Sequence, residues 1–213
     1  MSESVCPLCQ GHEVEHWHAD KRRPYRRCLQ CALVFVPAAY HLSADAEKAV
    51  YDLHRNSADD AGYRRFLQRA LEPLLARVQA PAQGLDFGCG PGPVLAAMLA
   101  DAGHRVALYD KFYFPDKAVL ACQYDFVTAT EVLEHVPEPA AILQILSDLL
   151  LPGGWLVIMT KRVRNQAAFS RWHCIQDPTH IVFYSDATFE WIAARWCYRL
   201  SFCGPDVVLL QKA

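Results

Sequence analysis

Gly84-Leu-Asp-Phe-Gly-Cys-Gly-Pro-Gly92 decides how the chain is read. Leu85 to Phe87 read as the end of a buried strand. Gly88, Gly90 and Gly92 supply a turn with little side-chain bulk, and Val94 to Leu99 start a helix. A strand–turn–helix of this kind lets backbone approach a ligand closely and aims helix N-terminal amides at it. A glycine-rich loop alone serves many cofactors, so its surroundings must say which one.

Downstream, strand and helix patterns alternate, which predicts an α/β fold: a Rossmann-like, doubly wound, mostly parallel sheet with helices on both faces. The helix from Val94 to Asp101 is followed by Arg105-Val-Ala-Leu-Tyr-Asp110, a strand ending in a carboxylate 18 residues beyond Gly92. At about that spacing an acid reaches ribose hydroxyls, and a carboxylate can accept both hydroxyl protons. Tyr124-Asp-Phe-Val-Thr-Ala-Thr-Glu131 is the next strand. It runs into Val132-Leu-Glu-His-Val-Pro-Glu-Pro139 and a helix from Ala140 to Leu150. Leu151-Pro-Gly-Gly then turns into another buried strand reaching Thr160.

Upstream lies a different chemistry. Cys6-Pro-Leu-Cys9 and Cys28-Leu-Gln-Cys31 are two C-x2-C pairs separated by 18 residues. Four thiolates on two knuckles match the tetrahedral preference of Zn²⁺, and a site filled by sulfur is structural. Residues 1–40 therefore read as a zinc ribbon, whose folding energy the metal supplies because so short a segment cannot build a core. His12, His16 and His18 are not needed as ligands and read as surface residues. Between the pairs, Lys21-Arg-Arg-Pro-Tyr-Arg-Arg27 carries five basic residues around Pro24 and Tyr25. It is either a phosphate- or RNA-contacting hairpin or a solvated one balancing acidic neighbours and thiolates.

Residues 41–82 read as a helical linker or lid. Tyr63, Phe66, Leu67, Ala70, Leu71, Leu74, Leu75 and Val78 recur at helical spacing, with Asp59 or Asp60 as a cap. Tyr51-Asp-Leu-His-Arg-Asn56 serves equally as part of a substrate lid or as a plain connector. Residues 83–213 form the main domain.

Length and composition bound the rest. The 213 residues hold one full α/β domain and a small appendage; 53% apolar content and a net charge of −2 suit a soluble globular protein. No apolar run reaches the roughly 18–20 residues that span a bilayer. Met1-Ser-Glu-Ser-Val-Cys6 lacks a secretory pattern, so the nine cysteines are expected in a reducing cytoplasm.

Four motifs in order make the chain from about Gln83 onward resemble the class I S-adenosylmethionine-dependent methyltransferases. Leu-Asp-Phe-Gly-Cys-Gly-Pro-Gly is similar to their first motif and Asp110 to their second-strand acid. Tyr-Asp-Phe-Val with Glu-Val-Leu-Glu-His-Val is similar to the fourth-strand motif, and Leu-Pro-Gly-Gly to the turn before the fifth. Cys197–Cys203 and Val207–Gln211 look like the antiparallel C-terminal strand pair that closes this fold.

The resemblance implies that Asp86 and the loop Gly88, Cys89 and Gly90 hold the methionine portion of S-adenosylmethionine. Asp110 then holds the ribose, and Glu131 and Val132 border the sulfonium, where a carboxylate suits a positive sulfur. The family usually places a helix, a third strand and an adenine-contacting acid between its second and fourth strands. Here only 14 residues separate Asp110 from Asp125, so that unit is expected to be shortened or absent. Phe112, Tyr113 or Phe114 then stacks on adenine or fills the core.

Glu131-x-x-Glu134-His135 is similar to the metal cluster of ubiquinone-type O-methyltransferases and small-RNA 2′-O-methyltransferases, which makes a divalent ion a further candidate cofactor. Trp172 to Tyr184 follow the fifth strand, where the family inserts its substrate cover. His180 is the preferred general base or fourth ligand, with His135 as a second catalytic candidate and Trp172, Asp177 and Tyr184 as pocket formers. The expected activity is S-adenosylmethionine-dependent methylation of a hydroxyl or nitrogen, on a small molecule in preference to RNA. The alternative is a non-catalytic cofactor-binding adaptor whose ribbon docks protein or nucleic acid.

Overall fold

A computed structural model describes residues 5–53 and 57–213. The chain runs β1 (Val14–Ala19), β2 (Pro24–Cys28), β3 (Val34–Phe35), α1 (Ala44–Tyr51), α2 (Ala61–Leu75), β4 (Gln83–Phe87), α3 (Val94–Asp101), β5 (Arg105–Tyr109), β6 (Tyr124–Thr130) and α4 (Pro139–Asp148). It continues with β7 (Leu150–Met159), α5 (Gln166–Phe169), β8 (Val182–Phe183), α6 (Asp186–Arg195), β9 (Tyr198–Cys203) and β10 (Val207–Lys212).

The main sheet has the order β5-β4-β6-β7-β10-β9. Its first four strands are parallel and β10 runs antiparallel to both neighbours. Both faces are covered, which is why its strands read as continuous apolar runs. Alternation sorts the side chains. Leu156, Ile158, Val208 and Leu210 pack with Leu143 of α4 and Phe189 of α6, while Val157, Met159, Val207 and Leu209 meet Leu67 of α2 and Leu99 of α3. Asp60 caps α2, accepting from the amides of Gly62 and Tyr63, and the apolar stripe places Leu67, Ala70, Leu71 and Leu74 in the core. At about 1.5–3 kcal/mol per fully buried leucine, that stripe is what holds α2 on the sheet.

After β4 the chain crosses to β5 on one side, and β6 lies on the other. A crevice therefore opens beyond the C-terminal ends of β4 and β6, where ligands bind in such sheets. The helix–strand unit beyond β5 is absent: Asp110 and Phe114 exchange main-chain hydrogen bonds at 3.0 and 3.1 Å. The chain then passes through one 3₁₀ segment, Lys117–Ala121, into β6. That leaves β5 as an edge strand.

The N-terminal hairpin β1–β2 continues into a second sheet of order β1-β2-β3-β8. Its last strand comes from the far side of the sequence: Val34 pairs with Phe183 and Phe35 with Val182. The expected division into 1–40, 41–82 and 83–213 is thus crossed by a sheet that joins the first and third segments. The Tyr51–Asn56 lid segment is described only as far as Leu53; residues 54–56 lie outside the described residues. No helix among the described residues is long and apolar enough to cross a membrane.

Candidate active site

The crevice is a cavity of about 1020 Å³ walled by several separate stretches of chain. Asp86 to Gly92 form its floor, Tyr109 to Tyr113 one side, and Thr130 to Ala141 the other. Glu47, Tyr51, Tyr63 and Phe66 lean in from α1 and α2, and Lys161 with residues 173–180 closes the end. Asp86, Gly88, Cys89, Gly90, Asp110, Phe112, Glu131, Val132, His135 and His180, read separately from the sequence, all line this one space.

At the glycine loop, Gly88 donates its amide to the Tyr109 carbonyl at 2.7 Å and holds φ +73°. A Cβ there would lie 2.5 Å from Val132 Cγ2, so both conformation and space require glycine. Gly90 N donates to Asp110 Oδ2 at 3.0 Å, and the amides of Phe112 and Tyr113 donate to Oδ1 at 2.8 and 3.1 Å. One carboxylate thereby ties the loop to the short turn that replaces the missing unit. Asp86 is 2% exposed and accepts from Thr128 Oγ1 at 2.8 Å. Burial nevertheless pushes its carboxyl up to about 6.

The far end concentrates titratable groups. Glu131 sits at the end of β6 with φ +53°, a left-handed conformation rare for glutamate and typical of constrained functional positions. Burial raises it to about 7 against the opposing charge of Lys161. Glu134, in the 3₁₀ turn Leu133–His135, is 4% exposed; burial and then Glu131 hold it well above the carboxylate range. Its Oε2 has no hydrogen-bond partner. His135 Nδ1 lies 3.2 Å from the Thr179 carbonyl, which can only accept, so Nδ1 carries the proton and Nε2 presents a lone pair. Burial lowers His135 to about 3 and lowers His180 as well. The two rings are 4.7 Å apart, and ligand atoms of Glu134, His135 and His180 all lie within 4.8 Å of one another. Asp177 Oδ2 stands 3.8 Å from His180 Nε2.

Away from the cavity, the four ribbon cysteines converge. Cys6 Sγ is 3.5 Å from Cys31 Sγ, Cys9 Sγ is 3.4 Å from Cys28 Sγ, and all four sulfurs lie within 4.8 Å of one another. Zinc–sulfur bonds of about 2.3 Å at tetrahedral angles place sulfurs about 3.8 Å apart, so the cage has the right size. The Gly11 amide points at Cys9 Sγ at 3.4 Å, suiting a charged sulfur.

Three expectations change. Tyr184 is fully buried, with its hydroxyl donating to the Leu133 carbonyl at 3.3 Å, and Trp172 packs on Phe169 and Phe183. Both support the insertion from behind, and neither lines the cavity; of the three pocket formers only Asp177 does. Phe114, whose main chain bridges to Asp110, does not line the cavity, which leaves Phe112 and Tyr113 at its wall. The basic run is only partly open: Arg23 is buried, while Lys21 and Arg22 stay exposed. Arg22 and Arg23 turn onto main-chain carbonyls of residues 175–178, and Arg27 pairs with Glu15 and covers the Trp17 ring.

Sequence reasoning missed α1, which is pinned over the crevice by Lys111 Nζ to Glu47 Oε2 at 2.6 Å and by Tyr113 OH to Asp52 Oδ1 at 2.7 Å. It also missed Tyr63 and Phe66 as wall residues, since their helical spacing reads equally as packing. Lys161, 2.9 Å from His173 Nε2, carried no signal beyond standing one residue past the fifth-strand motif.

With this geometry in hand, the comparisons fall into place. A family model described as "Methyltransferase domain" matches residues 60–196. The chain is 32% identical over 99 residues to the ubiquinone biosynthesis O-methyltransferase of Shewanella pealeana, covering 46% of this chain and 42% of that protein. It is 36% identical over 84 residues to the Escherichia coli protein of the same description, covering 39% and 35%. The chain thus spans less than half the length of these curated relatives. Among solved structures, the 1,6-didemethyltoxoflavin-N1-methyltransferase of Burkholderia thailandensis superposes with a TM-score of 0.56 at 18% identity, over 93% of this chain and 99% of that one. The magnesium protoporphyrin IX methyltransferase of Synechocystis gives 0.55 at 15%, over 81% and 100%. At these identities the structural likeness concerns the fold.

Proposed function

The chain belongs to the methyltransferase-domain family, and on that premise we propose that it transfers a methyl group from S-adenosylmethionine to a hydroxyl oxygen of a small organic acceptor. The carrying observation is that one cavity joins the glycine loop and Asp110 to His135 and His180, with buried Glu134 placing a carboxylate oxygen within 4.8 Å of both imidazoles. The cofactor supplies a methyl group already activated on a positive sulfur. What remains for the chain is to bind, orient and deprotonate.

Asp86 offers the buried carboxylate for the cofactor's ammonium, and the backbone from Gly88 to Gly90, held in its turn by Tyr109 and Asp110, flanks the rest of the methionine portion. Asp110 keeps free acceptor capacity for the ribose, Phe112 flanks the adenine, and Glu131 with Val132 borders the sulfonium. Glu134, His135 and His180 form a carboxylate–imidazole–imidazole set that suits a divalent ion, and the unpartnered Glu134 Oε2 fits that role. Such an ion supplies a charge that acidifies a hydroxyl and favours acceptors with two adjacent oxygens. His135 contributes Nε2, and His180, oriented by Asp177, is the ligand or base nearest the cover. The ribbon cysteines hold a structural zinc.

Oxygen is favoured over nitrogen because the sequence relatives are O-methyltransferases by description. RNA loses part of its support because Arg23 is buried against main-chain carbonyls and Arg22 spends its guanidinium on two more. The adaptor alternative rested on the short segment after Asp110, yet that segment lines the cavity and does not fill it.

Calorimetry with S-adenosylhomocysteine is the first test, and absence of binding sinks the enzyme reading. Methylation of 3,4-dihydroxybenzoate, with and without Mg²⁺ after mild chelation that spares the ribbon zinc, is the second. Turnover unaffected by chelation would leave His180 as a base with no ion.

A further inference from the structure

Four consecutive main-chain carbonyls of the substrate-side loop are held by two guanidinium groups from the ribbon. Arg22 Nη2 and Nη1 donate to the carbonyls of Ile175 at 2.9 Å and Gln176 at 2.7 Å. Arg23 Nη2 donates to Ile175 at 3.3 Å and Asp177 at 2.7 Å, and its Nη1 to Pro178 at 3.0 Å. Arg23 is 6% exposed, and its Nε donates to the Tyr25 hydroxyl, which donates in turn to Asp20 Oδ2. Asp20 Oδ1 accepts the amides of both arginines and so fixes the turn that presents them. Just downstream, Val36 N donates to the Ile181 carbonyl at 2.8 Å, and β3 pairs with β8. The loop so gripped carries Asp177 and His180 into the cavity, and it is also fastened by the Tyr25 hydroxyl 3.2 Å from the Ile175 carbonyl, by the Ile181 amide on the Glu134 carbonyl and by His135 Nδ1 on the Thr179 carbonyl.

We propose that the ribbon is a working part of the acceptor site: Arg23, assisted by Arg22, is a positioning residue that sets His180 and Asp177, so an intact cysteine cage is required for acceptor-side geometry and not for cofactor binding. The placement of His180 as ligand or base rests on the methyltransferase reading above; the mechanical link does not. An arginine is needed because one planar fork must satisfy carbonyls that diverge along the chain. A lysine ammonium in its place reaches fewer of them and strands the rest.

The test uses the full-length, zinc-loaded chain and its variants Arg23→Ala, Arg23→Lys and Cys28→Ser. Amide hydrogen exchange over residues 175–181 should accelerate at least about tenfold in each, because several hydrogen bonds that close the loop are lost. The ring-nitrogen signals of His180, assigned by their loss in His180→Gln, should shift or broaden, a change that loss of general stability would not direct to one imidazole. S-adenosylhomocysteine affinity by calorimetry should stay within about twofold, since the Arg22 and Arg23 guanidinium groups bond to residues 175–178 and Tyr25 and not to the glycine loop or Asp110. Wild-type exchange and His180 signals in Arg23→Ala and Arg23→Lys would overturn the proposal. So would cofactor affinity falling in step with loop exchange. Should Cys28→Ser fail to fold, the Arg23 pair still decides. If the wild-type chain bound no S-adenosylhomocysteine, the functional reading would fall while the exchange data still ruled on the ribbon's role.

Discussion

Asp86→Asn should stabilise the ligand-free protein at neutral pH while crippling its hold on the cofactor. Burial raises the Asp86 carboxyl from 3.8 to about 6. A shift of about 2 units at 1.36 kcal/mol each means that folding opposes the ionised form by about 3 kcal/mol. Because the folded value lies above the unfolded one, the protonated group's advantage is complete below about pH 4 and is lost as pH rises through about 6. Asparagine removes that loss. It also has one acceptor oxygen where the carboxylate takes donors from Thr128 and from the Ala96 amide, which gives back about 1 kcal/mol. The net gain is about 2 kcal/mol at pH 8, a rise in Tm of about 4–8 °C for a chain of this size, falling to zero near about pH 4.5 and turning into a deficit of at most about 1 kcal/mol in more acid solution. Scanning calorimetry of both proteins from pH 4 to 8 isolates Asp86, since every other titrating group is shared. Cofactor affinity should fall tenfold or more, about 1.4 kcal/mol, as the ammonium loses its charged partner. A variant less stable than wild type at pH 8 but equal at pH 4 would refute the burial argument. An unchanged affinity would refute the cofactor role.

Gly88→Ala should weaken S-adenosylhomocysteine binding and cost at least about 1 kcal/mol of stability, because alanine is strained at φ +73° and meets Val132 Cγ2 at 2.5 Å. Calorimetry should find that adding Val132→Ala restores part of the stability but not the strain. Glu134→Gln should reduce Mn²⁺ affinity, read by electron paramagnetic resonance, at least about tenfold; equal affinity would remove Glu134 from the ion site. Arg27→Ala should change stability by under about 1 kcal/mol, since its pair with Glu15 is exposed, and should alter no RNA binding in a gel-shift assay.

How far the sequence could be read follows from how local each signal is. Leu156 to Met159 could be assigned to a strand covered on both faces because burial on both sides leaves an unbroken apolar run. The loop from Gly88 could be placed because glycine at left-handed φ is a local demand. Asp110 could be found by spacing alone. Nothing local marks Val182 and Phe183 as a strand, since two residues show no periodicity and their partners lie in β3, far away along the chain. For the same reason Arg22 and Arg23 looked like a basic surface: composition records their charge, and only the fold supplies four carbonyls to receive it. Tyr184 and Trp172 were misplaced because an aromatic near a site and an aromatic behind it read alike in one dimension.

The acceptor end therefore belongs to no single segment. β6 and β7 are parallel neighbours, so Glu134 and His135, just past the end of β6, and the insertion after β7 emerge on the same side of the sheet. Adjacency alone brings them close but does not fix His180, because the insertion has little regular structure between α5 and β8. On the proposal above, the missing stiffness comes from the N-terminal sheet, where the four cysteines converge beside β2 and β3 and Arg22 and Arg23 hold the loop. Weakening the cage should then reach the His135–His180 pair before it reaches the glycine loop, which hangs from β4 and β5 on the other side of the cavity. Cofactor binding and acceptor-side geometry should in this way fail separately, in an order set by which sheet carries each.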